Sequence, residues 1–239
     1  MAQCSAIQAA AGVMCCWLVL WLGVTAGFAV VDAAGQQIYR SAALHRTNLF
    51  ECVADGKSAI RWIREHAAEL SVDPHRIVAA GASAGGHVAA ATGTVSGLDE
   101  PSENKAASSR LDAMILWYPV VNNGPCDYGH GRVGERYPEI SPLHNISAQC
   151  PPLLILLGTR DRLVPVQTAE EFKSRIEKAG GRRDLKLFEG AEHSNYEYRK
   201  GDSPWRRKCL TLADEFMVSI DFLRSSHNPL KAQRAGGAR

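Results

Sequence analysis

Short apolar runs alternate along this chain with longer stretches whose apolar positions recur every three or four residues, a pattern that predicts strands and helices in turn. The first long stretch opens at Asn48, with Glu51 placed to close a capping box, and Cys52, Val53, Gly56, Ala59, Ile60, Ile63, Ala67 and Leu70 fall at helical spacing. Asp73-Pro74 ends it, because a residue before proline is pushed out of the α region. A strand over Arg76–Ala80 follows, then a helix of small residues to about Val95, a polar, turn-rich loop at 97–110 and a strand at Ala113–Tyr118. From Asn122 to Cys150 glycines and prolines break any rhythm, and a loop of this length is often functional. Leu153–Leu157 has the unbroken apolar character of a parallel strand covered on both faces. Pro165 opens a helix that Gly180-Gly181 stops, and Leu185–Phe188 is a short strand. A last helix from Trp205 aligns Cys209, Leu212, Ala213, Phe216, Ile220 and Leu223 on one stripe. Strands alternating with helices predict an α/β fold with a doubly wound, mostly parallel sheet, whose ligands bind at the carboxyl ends of the strands.

The amino-terminal segment does not fit this rhythm. No charged side chain occurs from Met1 to Val31, and Gly12 to Val31 is nearly continuous apolar sequence. Three readings stand. It is a secretory signal with small-residue cleavage options near Ala29 or Ala33, a membrane anchor, or a pair of buried strands drawn from Trp17–Trp21 and Phe28–Val31. A signal would place the protein outside the cell or in the periplasm. Otherwise a cytoplasmic location follows, and membrane contact is expected only if residues 12–31 form an uncleaved anchor. The expected organisation is therefore residues 1–31 as this apolar segment, 32–224 as one catalytic domain and 225–239 as a disordered basic tail.

Composition narrows the chemistry. Over 239 residues the formal net charge is +2, with no basic block interleaved with aromatics, so nucleic acid is not an expected partner. Seven cysteines show neither C-x-x-C nor zinc-type spacing, and no metal is expected. Cys126 and Cys150 bracket one loop; they read as two separate thiols, with pairing open only in an oxidising compartment.

The candidate chemistry lies in Gly81-Ala-Ser83-Ala-Gly85, a Gly-x-Ser-x-Gly between a predicted strand and a predicted helix. This is the layout of a nucleophile elbow, with a serine on a sharp turn and glycines at 81 and 85 where side chains would collide with neighbouring backbone. The helix opening at Ala84 would offer its N–H and its dipole to an oxyanion on the substrate. Asp161 follows the strand Leu153–Leu157 and His193 follows Leu185–Phe188, so both fall at the same sheet edge as Ser83. The pairing has a chemical rationale. A serine hydroxyl is a weak nucleophile until an imidazole can take its proton, and a carboxylate fixes the imidazole tautomer. His87, His130 and His144 compete with His193 for the role of base, while Tyr128, His130 and Tyr137 in the 122–150 loop are candidates to wall an acyl pocket.

With these residues the sequence resembles the α/β-hydrolase superfamily, specifically small esterases and lipases of the acetyl-esterase and hormone-sensitive-lipase-like group. The motifs are Gly81-Ala-Ser-Ala-Gly-Gly-His87, Asp73-Pro-His-Arg-Ile77, Gly158-Thr-Arg-Asp161 with Val164-Pro165, and Gly190-Ala-Glu-His193, and they span roughly Phe50 to Leu223. The resemblance implies cofactor-free hydrolysis of small carboxylic esters, often acetyl esters, with Ser83, Asp161 and His193 as nucleophile, acid and base. One departure stands out. Nothing in residues 1–75 matches the His-Gly-Gly-Gly-like loop that completes the oxyanion hole in this group, so the fold is expected to be amino-terminally truncated or altered. The alternative functional reading is accordingly a catalytically impaired, truncated paralogue or gene fragment. A serine peptidase would share the residue order but lacks a gating domain here.

Overall fold

The computed structural model describes the backbone of Val19–Leu22, residues 48–193 and residues 204–224. Its sheet has five strands, β1 (Val19–Leu22), β2 (Val78–Ala82), β3 (Ala113–Trp117), β4 (Leu153–Gly158) and β5 (Arg183–Phe188). They are all parallel and lie in sequence order. The predicted alternation holds, with α1 (Leu49–Glu65), α2 (Ala67–Leu70), α3 (Ala84–Thr94), α4 (His130–Val133), α5 (Val166–Lys178) and α6 (Pro204–Ser219) between and after the strands.

The capping box at the start of α1 is present in both directions: Glu51 N–H donates to Asn48 Oδ1 at 3.0 Å, and Asn48 N–H donates to Glu51 Oε2 at 2.8 Å. The single helix expected over 48–70 is interrupted at His66, and a left-handed Ser71 closes α2 two residues ahead of Asp73-Pro74. The strand leading into Ser83 runs two residues further than its apolar run suggests, since Gly81 and Ala82 still pair with Leu116 and Trp117 of β3.

Strands β2 and β4 are buried at every position, so both their faces are covered. Helix α3 lies on β2 and β3, α1 packs on α3, α5 lies on β4 and β5, and α6 meets β4. Cys209, Phe216 and Met217 of α6 join the same core as Phe172 and Ile176 of α5. The stripe predicted for α6 continues past its end, where Asp221 turns left-handed and Ile220, Phe222 and Leu223 fold back on the core.

At the other side of the sheet, Val19–Leu22 pairs in parallel register with Val78–Gly81 and covers the edge that β2 would otherwise expose. Those four residues are strand, one of the three readings of the apolar segment. Phe28–Val31, the cleavage options near Ala29 and Ala33 and the tail at 225–239 lie outside the described residues. Among the described residues no helix is long and apolar enough to cross a membrane.

Candidate active site

Ser83 sits between β2 and α3 with φ 52° and ψ −116°, a left-handed conformation that a side-chain-bearing residue adopts only under constraint. The constraint is visible in the backbone: Ser83 N–H donates to Trp117 O at 3.0 Å, while its own carbonyl accepts from His87 N–H at 3.0 Å and Val120 N–H at 3.3 Å. Gly81 permits the turn. A Cβ there would strike the carbonyl of Gly85 and come within 2.8 Å of Gly86 N. Gly86 is equally constrained, because its Cβ would approach Pro119 to 2.9 Å and force the elbow helix away from the loop after β3.

The structure brings Ser83, Asp161 and His193 together. Ser83 O–H donates to His193 Nε2 at 2.9 Å, and His193 Nδ1–H donates to Asp161 Oδ2 at 2.8 Å. The second carboxylate oxygen of Asp161 is also occupied. Oδ1 accepts from Leu163 N–H and Val164 N–H, each at 2.9 Å, so the side chain, which is fully enclosed, has a fixed orientation. Two loops are clamped to each other around this pair. Thr159 N–H donates to Phe188 O, Arg160 N–H to Ala191 O and Gly190 N–H to Thr159 Oγ1, at 2.9 to 3.0 Å. Gly158 allows the approach, since a Cβ there would collide with the Ala191 carbonyl.

Tyr118, which sequence reasoning did not single out, sits at the end of β3 with φ 37° and lays its ring against His193 at 4.6 Å between centroids. The signal for it was faint: a buried aromatic at a strand's carboxyl end beside the elbow. Ala84 is the first residue of α3, so its N–H has no acceptor within the helix and lies next to Ser83, at the positive end of the dipole.

The competing histidines point elsewhere. His87 is fully buried and bonds Asn123, His130 Nδ1–H donates to Asn123 O at 3.0 Å, and His144 Nδ1–H donates to Ser141 Oγ at 2.9 Å. Burial pushes the His87 imidazole down to about 4, against the opposing effects of Asn123 and the Ile140 backbone, so it is neutral at ordinary pH. Of the residues proposed to wall an acyl pocket, Tyr128 lines a narrow groove with Val120 and Val121, facing Leu163, Val164 and Pro165. His130 and Tyr137 do not line that groove; their rings stack edge to face at 5.7 Å, and Tyr137 meets His144 at 5.1 Å. Cys126 and Cys150 are free thiols, and burial pushes Cys150 and Cys209 up to about 12, which removes both as nucleophiles.

A parallel sheet with a strained serine elbow, and with an aspartate and a histidine delivered by the ends of β4 and β5, has the α/β-hydrolase fold. Residues 22–176 match the family model described as BD-FAE, and the chain belongs to that family of α/β-hydrolase esterases. Among solved structures, esterase 2 of Thermogutta terrifontis phosphoramylated by tabun is 45% identical with a TM-score of 0.74, over 79% of this chain and 71% of that one. A propionate-bound form of the same esterase is 44% identical with a TM-score of 0.72, over 79% and 72%. A probable isoprenylcysteine alpha-carbonyl methylesterase of Arabidopsis thaliana is 27% identical over 174 residues, 62% of this chain and 36% of that protein. The chain spans about a third of the length of the curated relatives it matches.

Proposed function

We propose that this protein hydrolyses small carboxylic esters through an acyl-enzyme on Ser83. The observation that carries the reading is the unbroken relay from Ser83 Oγ to His193 to Asp161, at 2.9 and 2.8 Å, on a turn held in a strained conformation. In this mechanism His193 Nε2 takes the Ser83 proton as Oγ attacks the ester carbonyl, and Asp161 stabilises the resulting imidazolium. The oxyanion faces Ala84 N–H and the amino end of α3. As the tetrahedral species collapses, the imidazolium gives its proton to the departing alkoxide. Water then repeats the sequence, with His193 as base, releasing the acid and restoring Ser83.

The propionate bound in the similar esterase supports small acyl groups. The carboxyl end of β1 reaches the sheet edge that carries Ser83, Leu22 lying in register with Gly81. The test is the initial rate of p-nitrophenyl acetate hydrolysis by the full chain beside Ser83→Ala, together with mass analysis after paraoxon treatment. Hydrolysis that falls at least ~10⁴-fold in the variant, with a diethylphosphoryl adduct on the peptide containing Ser83, is the expected result. Equal rates in both proteins would end the proposal, as would a folded chain that neither hydrolyses nor labels.

A further inference from the structure

Lys57 is a buried cation that the relay does not use. It stands on α1, is 5% exposed, and its Nζ donates to Val95 O at 2.8 Å, just past the end of α3. Among the described residues no carboxylate forms an ion pair with it. Asp99, the acid whose charge it feels, is held by Arg61 Nη2 at 2.6 Å, and Glu103 is held by Arg61 Nη1 at 3.2 Å. Burial pushes the Lys57 ammonium down, with Asp99 opposing the shift and Arg61 adding to it. An ammonium has three protons to donate. Val95 O takes one, which caps the last turn of α3 and leaves two without an acceptor among the described residues.

The same lysine lines a cavity of about 130 Å³, far more than one water needs. Other walls come from the chain just before β3, at Ser109 and Arg110, and just before β4, at Ser147 and Gln149. The cavity therefore lies where the parallel strands begin, at the sheet edge opposite Ser83. Its lining holds two cations and no carboxylate. Arg110 Nη2–H reaches Gln149 O at 3.5 Å, so its guanidinium spans the two segments. The hydroxyls are free to donate, because Ser109 Oγ accepts from Arg61 Nη2–H and Ser147 Oγ from Gln149 N–H, each at 3.2 Å. We propose that this cavity binds a small oxyanion of the phosphate class, with Lys57 and Arg110 balancing its two charges and the Ser109 and Ser147 hydroxyls donating to its oxygens. A dianion matches the two cations, and the pairing of a planar guanidinium with a compact ammonium suits a phosphate group. The site stands apart from Ser83 and requires no hydrolysis there.

Isothermal titration of the full chain with inorganic phosphate tests this, at constant ionic strength set with chloride and above pH ~7, where the group carries close to two charges. The variants are Lys57→Met, Arg110→Gln and, as a remote control, Lys178→Gln at the exposed end of α5. The parent should bind one phosphate per chain with Kd of about 1 mM, and acetate at least ~5-fold more weakly. Losing one charge-assisted partner should weaken phosphate at least ~10-fold in Lys57→Met and in Arg110→Gln, with Lys178→Gln within about twofold of the parent. Arg110 is exposed, so Arg110→Gln decides the matter if Lys57→Met does not fold. Methyl phosphate separates the two sources of the group: tighter binding than inorganic phosphate assigns an organic phosphate, weaker binding assigns the free ion, and both support the site. Absence of saturable binding overturns the proposal. So does phosphate affinity unchanged in Arg110→Gln, or acetate bound as tightly as phosphate.

Discussion

The two walls of the groove that Tyr128 lines are held by different balances of main-chain and side-chain bonds. On the Asp161 side, the loops after β4 and β5 are joined through main-chain groups, the Thr159 hydroxyl and the Asp161 carboxylate, and Gly158 and Ala191 touch where no side chain fits. On the other side, beside the main-chain bonds of Val120 to Ser83 and of Leu143 to Val121, the loop after β3 is held by side chains reaching to backbone and to one another: His87, Asn123, Ser141 and Asn145, whose Nδ2 donates to both Pro138 O and Ser141 O. Backbone clamping tolerates many sequences and gives one geometry. Side-chain clamping depends on each identity, and one substitution can reshape it.

Three changes would break or sharpen this contrast. The largest effect belongs to Asp161→Asn. The amide oxygen can still accept from Leu163 and Val164, yet the amide no longer holds His193 in the tautomer that accepts the Ser83 proton, so kcat for p-nitrophenyl acetate should fall by ~10⁴ with little loss of stability. Urea unfolding beside the kinetics checks it, and a loss of stability matching the loss of rate would mean that the main-chain clamp had failed instead.

Gly158→Ala comes next. The new methyl meets the Ala191 carbonyl and must push the His193 loop outward, so kcat should fall ~10²-fold, at a cost of about 2 kcal/mol in stability. A fully active variant would show that the two loops can shift together and that their contact does not place His193.

The third concerns pH. An imidazole buried in its neutral form lets the unfolded chain take up a proton that the folded chain refuses. Stability therefore falls as pH falls from about 6.5 towards 4, by up to about 3 kcal/mol from His87. The difference between unfolding free energies at pH 7 and pH 4.5 should be smaller by most of that amount in His87→Gln. An unchanged difference would locate the acid sensitivity in other groups.

Much of the fold was legible because local rules agree with one another. Asn48 and Glu51 cap a helix in any context, the apolar runs at Ala113 and Leu153 suit only buried strands, and Gly180-Gly181 ends α5 through N–H donations to Glu177 O and Ile176 O. The candidate site was legible for a similar reason. In a parallel sheet every strand delivers its following residue to one edge, so Ser83, Asp161 and His193 had to arrive there together. The 122–150 loop was not legible. Its turns follow no period, and Tyr128, His130 and Tyr137 looked equivalent until the hydrogen bonds of Asn123 and Ser141 separated a groove wall from an aromatic cluster.

By itself the sequence determined the order of strands and helices, the strained turn at Ser83 and the common edge of three reactive side chains. These follow from steric and periodic constraints acting over a few residues and from the shared direction of parallel strands. Only the tertiary structure decided that Val19–Leu22 closes the edge of β2, that Tyr118 lies against His193, and that the His87 side chain bonds Asn123 rather than the Ser83 hydroxyl. Each depends on residues distant in sequence meeting in a low-dielectric interior, where the nearest unsatisfied polar group or open strand edge selects the partner.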